Sequence, residues 1–216
     1  MNIAILGTGI VGTTIGGRLI QLGHKVRMGS RTAGNEKAVA WVKTAGANAS
    51  QGTFADAAAF GELLFNCTSG AGCLEALKQA GAANLKAKIL IDVSNSLDFS
   101  KGMPPTLSVC NTDSLGEQIQ KAFPDAKVVK SLNTTNALLM VNPAQLAGGD
   151  HSMFVSGNDA EAKAKVTDLL KNGFGWKDVV DLGDISAARG QEMILPIWLR
   201  LYGALKTPNF NFKIVR

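Results

Sequence analysis

A doubly wound α/β fold, with a parallel sheet and a small C-terminal α/β extension that ends in a long helix, is predicted by three features of this sequence. Asn2 to Leu6 is an apolar run that enters a turn with Gly7, Gly9 and Gly12 at the G-x-G-x-x-G spacing. Largely apolar runs recur at Leu63 to Thr68 and Lys88 to Asn95, as expected of parallel strands buried on both faces. Between such runs lie stretches with helical apolar spacing, the first being Ile10 to Leu22 with Val11, Ile15, Leu19 and Leu22 on one stripe. The alternation is that of a Rossmann-type sheet.

The glycine turn is the most informative element. Gly7 permits the tight turn out of the strand, Gly9 lets a pyrophosphate approach bare backbone, and Gly12 lets the helix pack closely on the strand. The helix N-terminus then offers unpaired N–H groups and a partial positive charge. The spacing is also compatible with a merely structural glycine turn, because the chain contains 24 glycines.

Length and composition narrow the class. A chain of 216 residues with 46% hydrophobic and 18% charged residues can bury a real core. We expect a dinucleotide-binding domain over residues 1–142 and a small domain over 143–216 that serves acceptor binding, dimerisation or both. No segment reaches the roughly 18 apolar residues that span a bilayer; Met193 to Leu205 is interrupted by Arg200. With the first strand starting at Asn2, the expected location is cytoplasmic. Cys67, Cys73 and Cys110 form no C-x-x-C pair, and with only His24 and His151 no metal site is expected. A dispersed net charge of +5 argues against nucleic-acid binding and mildly favours a polyanionic cofactor.

In chain order, Lys25 to Arg31 reads as the second strand and ends in Gly29-Ser30-Arg31-Thr32, with no acid until Glu36. An NAD-specific fold places an acid there for the ribose hydroxyls; a basic and a small polar residue instead suit the 2′-phosphate of NADP. Arg31 can fork onto that phosphate and Ser30 can donate to it, the alternative being a solvated charge at the strand end. Ala38 to Ala45 and Phe54 to Gly61 read as helices. The turn Cys67-Thr68-Ser69-Gly70 falls at the same sheet edge as the glycine turn, where it lines a ligand or simply caps the helix Gly72 to Ala80. Ser94 and Asn95 end the next strand at that edge. Ser96 to Asn111 is a long loop. Thr112 to Phe123 is a helix capped by Asn111 or Thr112. Lys127 to Asn133 is a strand that runs into Thr134, Thr135 and Asn136. Ser152 to Gly157, Ala160 to Leu170 and Lys177 to Leu182 make one more βαβ unit. Ser186 to Leu205 is a long helix that Pro196 should kink or split. The alternating tail Pro208 to Arg216 should dock on the first domain or on a second subunit.

Candidates for acid–base chemistry are few. His24 lies away from the ligand edge, Tyr202 lies on the terminal helix, His151 follows Gly148-Gly149-Asp150, and Lys130 is expected to face a helix or solvent. No catalytic residue is therefore singled out. Hydride transfer between two stacked rings needs chiefly geometry and a dry pocket, so an acceptor of the flavin type is favoured over a small carbonyl or imine. A non-catalytic NADP(H) sensor is the reading from another class.

The elements Gly7-Thr8-Gly9-Ile10-Val11-Gly12, Gly29-Ser30-Arg31, Val129 to Thr134, Phe154 to Asp159 and Ser186 to Arg189 resemble the NADP oxidoreductases that depend on the deazaflavin coenzyme F420. The same chain is similar to the cytosolic reductase domain of six-transmembrane metalloreductases. The resemblance implies NADP(H) as cofactor, with flavin or coenzyme F420 as a small-molecule hydride acceptor; a homodimer is a separate expectation, from the apolar terminal segment. It implies that Gly7, Thr8, Gly9, Ile10, Val11 and Gly12 hold the pyrophosphate and that Ser30 and Arg31 hold the 2′-phosphate. Cys67, Thr68, Ser69, Ser94, Asn95, Leu132, Asn133 and Thr134 would frame the ribose and nicotinamide.

Overall fold

The computed structural model describes residues 1–216. Its chain order begins β1 (Asn2–Leu6), α1 (Ile10–Gln21), β2 (Lys25–Ser30), α2 (Glu36–Ala45), β3 (Ala49–Thr53), α3 (Phe54–Phe60), β4 (Leu63–Asn66), α4 (Gly70–Ala80), α5 (Ala82–Leu85) and β5 (Ile89–Asp92). A small hairpin of β6 (Leu97–Asp98) and β7 (Thr106–Leu107) follows, then α6 (Leu115–Ala122), β8 (Lys127–Ser131) and α7 (Ala137–Val141). The chain finishes with β9 (Ser152–Gly157), α8 (Ala160–Asp168), β10 (Asp178–Asp181), α9 (Ala188–Met193) and α10 (Leu195–Leu205).

One 8-stranded sheet has the order β10-β9-β8-β5-β4-β1-β2-β3. The expected doubly wound α/β class is what the chain adopts. Every neighbouring pair is parallel except β8 with β9, where Ser131 opposes Val155, so the sheet is mostly rather than wholly parallel. β9 and β10 are parallel to each other, as a βαβ unit requires. The expected boundary at 142/143 falls inside this continuous sheet, because β9 hydrogen-bonds β8. No helix is long and apolar enough to cross a membrane.

Strand alternation sorts the core into two layers. Ile3 and Ile5 join Ile15, Leu19, Val26, Met28, Trp41, Phe65 and Trp176 on one face, while Ala4 and Leu6 join Phe54, Leu64, Leu77, Leu90 and Ile119 on the other. Burying side chains of this size supplies about 1.5–3 kcal/mol each relative to exposure. Capping decides several helix starts. Thr53 and Asp56 form a reciprocal capping box at α3. α6 begins not at Asn111 or Thr112 but after Ser114, whose hydroxyl accepts from Glu117 N–H at 3.1 Å.

The C-terminal helix is split, with α9 ending at Met193 and α10 starting at Leu195. Pro196 sits in the first turn of α10, where its missing N–H breaks no helical bond. The tail docks on the start of β9 rather than chiefly on residues 1–142: Ser152 N–H donates to Phe212 O at 2.9 Å and Ile214 N–H to Ser152 Oγ at 3.0 Å. Asn136 Nδ2 also donates to Pro208 O at 2.7 Å.

α9 is tied to α6 by Arg189, whose Nε donates to Glu117 Oε2 at 2.9 Å. That guanidinium bond holds the Glu117 carboxyl below its ordinary value of 4.5. A depressed folded-state value means that the pair stabilises the fold above pH 4.5 and that this contribution is lost as pH falls through the folded value. In acid titrations followed by circular dichroism, Arg189→Ala should therefore show a shallower loss of stability below about pH 4.5 than the parent. Identical slopes would mean that the pair has no part in the pH dependence.

Candidate functional site

Strand order reverses between β1 and β4, since β2 and β3 lie on one side of β1 and β4, β5 and β8 on the other. In open α/β sheets the crevice at such a point, outside the carboxyl ends of the strands, is where ligands bind. Register brings the strand ends into one row: Leu6 opposes Gly29 on one side and Asn66 on the other, Asn66 opposes Asp92, and Asp92 opposes Lys130.

The glycine turn has the geometry that its spacing predicts. Gly7 has φ +120°, and a Cβ there would lie 2.6 Å from Cys67 O, so the β1 and β4 turns touch at the switch point. A Cβ on Gly12 would run into Gly7 O, which is the close helix–strand packing that this glycine permits. Gly9 has open space where its Cβ would be. It is the N-cap of α1, which has no side-chain cap and no acid in its first turn, so no side chain there competes for the first N–H groups of the helix. Ile10 is 72% exposed, Thr8 and Val11 are half-buried, and the turn as a whole suits an approaching pyrophosphate.

Ser30 is buried at the end of β2, with its hydroxyl donating to Thr32 O at 2.7 Å. Arg31 is exposed beside it and makes no ion pair within the chain. At the end of β4, Thr68 is half-buried and Ser69 exposed; Ser69 is the N-cap of α4 but makes no side-chain cap there. Burial, with Asp92 nearby, raises the Cys67 thiol, and burial pushes Cys73 up to about 12, so both stay protonated and neither is a thiolate nucleophile.

Ser94 turns inward, its hydroxyl donating to Asp92 Oδ1 at 2.7 Å. Asn95 and Asn133 are joined twice: Asn95 Nδ2 donates to Asn133 O and Asn133 Nδ2 to Asn95 Oδ1, both at 2.9 Å. Leu132 has φ +64°, a left-handed conformation that costs a β-carbon residue on the order of 1–2 kcal/mol. That strained turn sends Asn133, Thr134 and Thr135 across the strand ends, where Asn133 Oδ1, Thr134 Oγ1 and Thr135 Oγ1 are buried without a partner. Each of these atoms can be completed by water or by a ligand.

Titratable groups behind the edge are spent on one another. Lys130, fully buried, faces the layer of α6 and α9 and places Nζ 2.7 Å from Asp92 Oδ2 and 2.9 Å from Glu192 Oε1. Burial opposes the ammonium, but the two carboxylates outweigh it and hold the lysine above its ordinary value. Glu192 also accepts the N–H groups of Leu115 and Gly116 at 3.0 Å, at the start of α6. His151 is buried with Nε2 3.0 Å from Pro143 O and Nδ1 2.8 Å from Asn211 Nδ2. Tyr202 stacks on Trp198 with ring centroids 5.7 Å apart, and His24 lines a cleft of about 840 Å³ with Met1, Glu62 and Ile89 at the opposite sheet edge.

No local motif marks Asp92, Glu192 or Gln191 as part of the site. The available signal was an acid ending one buried strand and a lysine in the next, which the parallel register places side by side; nothing local in the sequence marks Glu192.

Residues 2–96 match the family model of NADP oxidoreductase, coenzyme F420-dependent. A protein from Arthrobacter sp. FB24, described as a candidate F420-dependent NADP-reductase, is 57% identical over 100% of both chains, with a TM-score of 0.95. A hypothetical protein from Sinorhizobium meliloti is 22% identical over 87% of both chains, with a TM-score of 0.70. A reductive aminase from Aspergillus terreus, solved with NADPH, shares the fold at 20% identity and a TM-score of 0.67, over 95% of this chain and 62% of its own. With the full-length match beside the family match, this chain belongs to the coenzyme F420-dependent NADP oxidoreductase family and is an NADP-dependent oxidoreductase.

Proposed function

We propose that this oxidoreductase passes hydride between NADP(H) and a flavin or deazaflavin acceptor. The observation that carries the reading is the make-up of the strand-end row. It consists of hydroxyls and amides, those of half-buried Thr68 and Asn95 and of buried Asn133 and Thr134, while Asp92 and Glu192 share the Lys130 ammonium behind it. Reduction of a carbonyl calls for a positioned acid; transfer between rings calls for orientation and exclusion of water.

The dinucleotide supplies the hydride when bound. Gly7 through Gly12 carry its pyrophosphate on uncapped N–H groups of α1. Ser30 and Arg31 take the 2′-phosphate, Arg31 as a free fork of donors. Thr68, Ser69, Asn95, Asn133 and Thr134 frame the nicotinamide half from the ends of β4, β5 and β8, with Cys67, Ser94 and Leu132 shaping the backbone beneath. Two copies pair through the apolar surface of α10, where Ile197 and Leu205 are 54% and 53% exposed. The cytoplasm, where reduced cofactor is available, is the proposed location.

Stopped-flow absorbance of NADPH mixed with FMN, FAD or coenzyme F420 tests the acceptor. Oxidation of NADPH by at least one of them is expected. No oxidation by any, with turnover of an imine panel instead, would move the assignment to the imine-reductase reading.

A further inference from the structure

We infer that Glu192 and Gln191 of α9 are positioning residues that set two strand-end groups, Thr68 and Asn133, as hydrogen-bond acceptors for the nicotinamide half of the dinucleotide. The inference rests on the dinucleotide reading above and adds the chemistry of that half-site.

Two paths run from α9 to the edge. In the first, Glu192 pairs with Lys130, and Lys130 Nζ pairs with Asp92 Oδ2 at 2.7 Å. Asp92 Oδ1 accepts from Asn66 Nδ2 at 2.8 Å, which fixes which way the Asn66 amide points. Its Oδ1 is thereby turned to Thr68, accepting the hydroxyl at 2.6 Å and the backbone N–H at 3.3 Å. The Thr68 hydroxyl has one proton, and that proton is committed inward. What remains for a ligand is a lone pair.

In the second path, Asn133 Nδ2 donates one proton to Asn95 Oδ1 and the other to Gln191 O, each at 2.9 Å. Both amide protons are used, and the carbonyl Oδ1 is left buried and unpartnered. Gln191 is itself held on every side: its Nε2 donates to Lys130 O at 3.2 Å and its Oε1 accepts from Ser156 Oγ at 2.5 Å. Glu192 and Gln191 are each 1% exposed, so neither reorients into water.

Both edge groups therefore offer acceptors and no donor. The ligand opposite them must bring donors, which the nicotinamide riboside half does through its ribose hydroxyls and carboxamide amino group. The adenosine 2′-phosphate half has its own site at Ser30 and Arg31, on the other side of β1, and does not use this network. A fault in the network should accordingly separate the two halves of one ligand.

Titration calorimetry with 2′,5′-ADP and with NADP⁺ reads that separation. In Glu192→Gln, NADP⁺ affinity should fall about tenfold, the scale of one charge-assisted hydrogen bond, while 2′,5′-ADP affinity changes less than about twofold. Asn66→Leu cuts the path beside Thr68 and leaves the Lys130 ion pairs whole; it should give the same pattern and decides the matter if Glu192→Gln does not fold. NADP⁺ affinity unchanged in the folded variants, or a parallel loss of both ligands, would overturn the positioning role. Parent protein that binds neither ligand would overturn the dinucleotide reading and this inference with it.

Discussion

Replacing Arg31 by alanine should weaken NADPH binding about 10- to 100-fold while leaving NADH within about twofold, as measured by calorimetry. Three facts combine in that expectation. Arg31 is exposed at the end of β2 and makes no ion pair within the chain, so its guanidinium need not be taken from another partner. No acid follows it in the chain before Glu36, and Asp56, which approaches this edge from α3, is committed to the N–H and hydroxyl of Thr53. The neighbouring Ser30 hydroxyl is satisfied by Thr32 O and must give up that bond to reach a phosphate, which leaves most of the discrimination to Arg31. An equal loss for both cofactors would show that Arg31 does not read the 2′-phosphate.

Lys130→Met should destabilise the protein by about 3–5 kcal/mol, seen as a lower midpoint in urea unfolding. The lysine is fully buried between two carboxylates, and methionine fills its volume without its charge. Asp92 and Glu192 would then face each other with no cation. The remaining partners, Asn66 and Ser94 at Asp92 and two α6 N–H groups at Glu192, do not offset two buried negative charges. A change under about 1 kcal/mol would mean that the cluster is not charged as drawn.

How much of this was legible in the sequence follows from how local each signal is. The glycine turn and the apolar runs of β1, β4, β5 and β8 are local, and they determine the fold class and the row of strand ends. β3 was not legible: Ala-Ser-Gln-Gly-Thr, residues 49–53, has neither apolar alternation nor β-branched bulk, and it forms a strand because the edge of β2 was open to it. The antiparallel turn of β9 is likewise a tertiary choice, since the apolar pattern of a buried strand carries no direction. A widened helical turn at Leu169–Phe174 carries α8 past Leu170, where the sequence pattern ends the helix.

Within the site, the residues legible in advance were those on the backbone turns. Asn133 was visible as a polar strand end, but its role depends on Gln191, 58 positions away. Glu192 depends on Lys130 and on the start of α6, both of which reach it only through packing. Long-range polar networks of this kind leave no periodicity, and three-dimensional register is what exposes them.

In the proposed complex one NADP(H) molecule lies across the switch point, with its 2′-phosphate at β2 and its nicotinamide at β4, β5 and β8. A crystal structure of the NADPH complex tests it most directly. The 2′-phosphate is expected on Arg31, the pyrophosphate over Gly9, and donors of the nicotinamide half within hydrogen-bond distance of Thr68 or Asn133. Nucleotide bound instead in the cleft beside His24 and Glu62, or with its 2′-phosphate away from Arg31, would contradict it.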